Sequence, residues 1–152
     1  MSVKLKLEGF DDLLREIEKA GRSAESAALS AMKQSAEIVQ NELKSEMKSS
    51  NVDGGLISRM PPYEIQNNHG EISAHIGYKK GDYNPNNPSD GYKAVFLNYG
   101  TPRRSEHGKI KDRSDGGVVR LGWIDRAKRK AKPKVKKAQE EALKKILARL
   151  KK

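Results

Sequence analysis

The chain has 152 residues and a mass of 17.0 kDa, carries 31 Lys and Arg against 20 Asp and Glu for a formal net charge of +11, and contains no cysteine. That length suits a single domain over residues 1–152, and the lack of cysteine excludes disulfides, thiolate metal sites and cysteine nucleophiles. Hydrophobic residues make up 35% and charged residues 34%, against about 25% charged in ordinary soluble domains, so part of the burial is expected to come from partners.

Met1–Lys6 runs into Glu8 and Asp11 without an apolar h-region, which predicts no secretory leader. No stretch approaches the roughly 18 apolar residues of a membrane span. Phe10, Leu13, Leu14 and Ile17 recur at helical spacing and predict an amphipathic helix over 10–20. After Gly21, Ser23 can cap a second helix over 23–48, in which Ala28, Met32, Ala36, Val39, Leu43 and Met47 return every three or four residues. Asn51, Asp53, Gly54 and Gly55 then read as a turn. Glu71–Tyr78 alternates, with Ile72, Ala74 and Ile76 on one face and Ser73 and His75 on the other, the pattern of a half-buried strand. A weaker strand is predicted at 63–66. Tyr92–Tyr99 is apolar on both faces and reads as a central strand covered by a helix or another subunit.

Two long loops are predicted, at 79–91 and 100–119, as surfaces that order on assembly. From Leu121 a basic C-terminal helix is predicted to 152, with Trp123, Ile124, Ala127, Val135, Ala138, Leu143, Ile146 and Leu147 on its apolar stripe. Pro133 either kinks this helix or starts a second one. The fold class is therefore α+β: a small antiparallel sheet of three to five strands covered by the helix near 23–48 and by the C-terminal helix.

Charge is unevenly placed. Residues 1–100 hold 12 basic and 14 acidic side chains, and residues 101–152 hold 19 and 6. Such clustering points to an acidic partner, protein or nucleic acid. Candidate contacts are Arg103, Arg104, Lys109, Lys111, Arg113, Arg126, Arg129 and Lys130. Only Trp123 is aromatic beyond Tyr99, so base stacking is not provided for, and any DNA binding is expected to be sequence-independent.

Reactive constellations are missing. His69, His75 and His107 lack metal-ligand spacing, and no Walker A, GxGxxG or GxSxG pattern occurs. The neighbouring acids Asp11–Asp12 and Glu140–Glu141 diverge on a helix and cannot act together. A nuclease built from Glu71, Asp82 and Asp90 is the weakest alternative. No catalytic residue, cofactor, metal or small-molecule substrate is expected, and no membrane contact.

Four segments occur in order: Leu7-Glu8-Gly9-Phe10 before a helix, Gly54-Gly55-Leu56-Ile57-Ser58 after a long alanine-rich one, Asn98-Tyr99-Gly100-Thr101, and Trp123-Ile124-Asp125-Arg126-Ala127 opening the last helix. This order resembles the gene-product-ten-like tail-component family of HK-type long-tailed phages. Gly55, Leu56, Tyr99, Gly100, Thr101 and Trp123 carry the likeness as structural positions. Where family members have Thr-Gly, an acidic residue and Pro-Phe, this chain has Gly54-Gly55, Asn98 and Gly122-Trp123. The resemblance implies a non-enzymatic virion structural protein of the head-tail joining or tail-completion region, encoded by a phage or prophage. It implies a ring, a hexamer by expectation, that contacts connector and tail proteins, with host cytoplasm as the assembly site. The alternative is a sequence-nonspecific DNA-binding protein that uses its basic C-terminal third.

Overall fold

The computed structural model describes residues 2–6, 22–68, 71–79, 86–100 and 120–150. The predicted helix at 10–20, Thr101 and the candidate contacts Arg103, Arg104, Lys109, Lys111 and Arg113 lie outside them, as do His69, Asp82 and His107. The elements are β1 (Ser2–Lys6), α1 (Arg22–Ser49), α2 (Gly54–Ser58), β2 (Glu64–Asn68), β3 (Glu71–Gly77), α3 (Asp90–Tyr99) and α4 (Trp123–Leu150).

The α+β expectation holds. Three antiparallel strands form a sheet in the order β1-β3-β2. β3 is central, with Val3 opposite Ile76 on one side and Ile65 opposite Ala74 on the other. β1 was not anticipated, although Val3 and Leu5 alternate with Lys4 and Lys6. α1 lies across β3, and Ile72, Ala74 and Ile76 join Met32, Ala36, Val39, Leu43 and Met47 in one core. Buried alanines at 28, 31 and 36 let neighbouring elements approach α1 closely.

The C-terminal helix departs from expectation. It packs chiefly along α1 rather than on the sheet, so the molecule is layered sheet, α1, α4. Trp123, Ile124, Ala127, Ala131 and Val135 bury against this middle helix. Pro133 sits inside α4, which runs as one helix through it.

The larger correction concerns residues 92–99. They are helical, not a central strand. The short apolar run is compatible with either period, and the ends decide. Ser89 caps the helix by accepting from the Tyr92 N–H at 3.3 Å, and Asp90 places a carboxylate in the first turn. At the other end Gly100, at φ 73°, donates its N–H to the Phe96 carbonyl at 2.7 Å. The segment read as a turn at 53–55 instead starts α2, capped by Asp53 accepting from the Leu56 N–H at 3.0 Å. A Cβ at Gly55 would come within 2.8 Å of the Asp53 carboxylate, so a larger residue there would push the capping side chain aside. α1 ends with Asn51 at φ 55° and the Val52 N–H on the Met47 carbonyl at 3.0 Å, a Schellman-type stop.

Candidate interaction surfaces

α3 is held at both ends. At its start, Arg59 forms a two-pronged ion pair with Asp90, at 2.8 and 3.0 Å. The guanidinium keeps the Asp90 carboxyl below its ordinary range. Next to this pair the buried Tyr78 donates its hydroxyl to the Leu56 carbonyl at 2.5 Å, fastening α2 to the end of β3. At the far end of α3 the fully buried Asn98 accepts the Ile124 N–H at 2.9 Å through Oδ1, satisfying one of the free donors that open α4. The Leu121 and Gly122 N–H groups reach the Leu97 and Asn98 carbonyls at 3.1 and 3.0 Å. Gly122, at φ 60°, lets the chain turn from these bonds into α4.

Within that frame the two sides of α3 differ. Gly91, Ala94 and Asn98 face inward and are buried. Tyr92, Val95, Phe96 and Tyr99 follow i, i+3, i+4, i+7 spacing on another side, and none belongs to the core. Val95 and Phe96 are partly exposed and Tyr99 is 46% exposed. The Tyr92 and Phe96 rings meet edge to face, with centroids 4.4 Å apart. α3 thus presents a small aromatic stripe whose position is fixed by other residues.

The second surface is α4. Arg126 to Lys137 contains eight cations and no acid, and the fold divides seven of them into two rows, with Lys137 exposed beside them. Arg126, Lys130 and Lys134 form an inner row toward α1. Arg126 Nε donates to the buried Glu46 carboxylate at 2.8 Å, Lys130 pairs with the same carboxylate, and Lys134 pairs with Glu42. Arg126 also donates to the Leu121 carbonyl and to Ser50 Oγ, both at 2.5 Å. The hydrogen bonds from Lys130 and then Arg126 hold the Glu46 carboxyl below its ordinary range, against burial, which pushes it up. Arg126 and Lys130, expected to meet a partner, are thus engaged within the chain. Sequence reading did not single out Glu46. Its place on the inner side of α1, beside buried Leu43 and Met47, was the available signal.

Lys128, Arg129, Lys132 and Lys136 form an outer row and are exposed. Lys128, Arg129 and Lys132 have no ion pair among the described residues, and Lys136 meets Glu140 only at 3.9 Å. Arg129 is therefore the one described candidate contact whose charge is directed outward without an acid beside it.

A groove of about 300 Å³ runs beside β2, lined by Pro61, Pro62, Glu64, Gln66, His75 and Lys79, with Glu64 and Lys79 paired at 2.6 Å. Among the described residues no group of three His, Cys, Asp or Glu could hold a metal ion. No described helix is long and apolar enough to cross a membrane. Comparison of the chain with protein-family models, curated proteins and solved structures finds no match.

Proposed function

We propose that the protein is a non-enzymatic building block of a phage virion, acting at the head-tail junction or in tail completion, where copies of the chain assemble as a ring. The observation that carries this reading is α3: a short helix held at its start by Ser89 and the Arg59–Asp90 pair and at its end by Asn98 and Gly100, with Val95, Phe96 and Tyr99 left partly or well exposed. Aromatic side chains on a rigid support are the usual anchors of protein interfaces. The order of the Gly55-Leu56, Tyr99-Gly100 and Trp123-Ile124 segments supports the same reading, and the Gly100 stop with the Asn98–Ile124 bond joins the end of α3 to the start of α4. A neighbouring copy is the natural occupant of the stripe, since α3 has few charges whereas the outer face of α4 would bring like charges together.

The test is genetic. Deleting the gene and imaging lysates by electron microscopy is expected to give heads and tails that fail to join, and supplying the wild-type chain restores joined particles. A Phe96→Ser/Tyr99→Ser double variant, with helix content unchanged by circular dichroism, is expected to fail to restore them. Normal infectious particles without the gene would overturn the proposal.

A further inference from the structure

The eight cations of Arg126–Lys137 are not one patch. Ion pairing with Glu42 and Glu46 withdraws Arg126, Lys130 and Lys134 from the partner-facing charge. The remainder has a distinct geometry. Lys128, Lys132 and Lys136 stand at successive i, i+4 positions with Arg129 beside them, so the four share one side of the helix. The row is about 12 Å long at 1.5 Å per residue. It is bounded by Asp125, which is paired with Arg120 at 2.7 Å, and by Glu140. Between these acids the outward positions hold these four cations, Lys137 and Pro133, with no aromatic or large aliphatic side chain.

We infer that this outer row is a sequence-independent contact for the phosphate backbone of double-stranded DNA. A protein partner would need apolar or aromatic anchors, because lysine-rich surfaces are depleted from protein interfaces. A single-stranded partner would need rings for base stacking, and this face has none. A duplex needs only fixed cations: it carries about one negative charge per 1.7 Å, or roughly seven along a 12 Å row. Exposed cations held on one side of a helix meet that demand. The inference goes beyond the assembly reading and does not depend on it.

The test uses the purified full chain and two unrelated fluorescent 24-base-pair DNA duplexes, with binding followed by anisotropy from 50 to 300 mM NaCl. Both duplexes are expected to bind equally, with log affinity falling linearly against log salt. A Lys128→Gln/Arg129→Gln/Lys132→Gln/Lys136→Gln variant is expected to lower the magnitude of that slope by about 3 to 4, near 0.9 per lost contact. Affinity at 100 mM salt should fall at least tenfold. Glutamine has nearly the helix propensity of lysine and arginine, so the variant stays folded. A control with the same charge change elsewhere, Lys33→Gln/Lys48→Gln/Lys79→Gln/Lys93→Gln, should move the slope by less than one. The inference is overturned if control and row variant lose binding equally, if polyglutamate of matched charge competes as well as DNA, or if single-stranded DNA or duplex RNA is strongly preferred.

Discussion

Glu46 shows how one side chain can settle the orientation of two helices. It is 2% exposed and accepts from two cations of α4. Replacing it with Gln removes both ion pairs, but Arg126 and Lys130 keep 38% and 60% exposure and can be rehydrated. The expected loss is therefore about 1–3 kcal/mol, below the usual cost of stranding a buried charge. Because the folded carboxyl titrates below its unfolded value of about 4.3, its contribution is complete above that pH. It is lost as pH falls through the folded value. Urea unfolding should show the wild type ahead of Glu46→Gln at pH 7, with the gap closing below about pH 4. Tyr78 works at the other end of the scale. Burial, reinforced by Asp90 and opposed by Arg59, raises its hydroxyl to about 12. The neutral phenol thus contributes stability that is complete below about pH 10 and lost as pH rises to 12. Tyr78→Phe should cost about 0.5–1.5 kcal/mol at pH 7 by losing the bond to the Leu56 carbonyl. Its stability should fall less steeply than that of the wild type between pH 10 and 11 in the same assay.

At the scale of the element, α4 carries a defect that can be repaired. Pro133 lacks an N–H, which leaves the Arg129 carbonyl without its helical partner, and its ring crowds the preceding turn. The position is exposed and lies outside the buried core. Pro133→Ala should therefore stabilise the protein by about 1–3 kcal/mol, raising Tm by several degrees at about 2–4 °C per kcal/mol in a calorimetric scan. Elements whose apolar period is long were legible in the sequence: α1 and α4 span 28 residues each, and β3 alternates cleanly. Tyr92–Tyr99 was not, because eight apolar-rich residues satisfy both periods. Ser89, Asp90 and Gly100 at the borders were the better guide. Gly54-Gly55 points to a turn by composition, whereas Asp53 caps a helix there by accepting from the Leu56 N–H.

Taken as a whole, the molecule is organised around α1, which touches both the sheet and α4. Hydrogen exchange should find the slowest amides in residues 32–47 and in β3, with α3 and the last turns of α4 exchanging sooner. Uniform protection across all the helices would contradict this layering. The candidate surface was only half legible. Composition located the positive charge in the last third, but sorting it required knowing that Glu42 and Glu46 lie against α4, a contact between residues about 80 to 90 positions apart. No local pattern encodes such a pairing.

The double clamp on α3 separates where this helix sits from what it displays. Its placement is set by Ser89, Asp90, Asn98 and Gly100, whereas Val95, Phe96 and Tyr99 bear little of that duty. The outward side chains are thus interchangeable in the manner of a paratope. Under the proposed assembly role, exchanging these three residues would give the helix a new counterpart while the bonds that hold it stay in place.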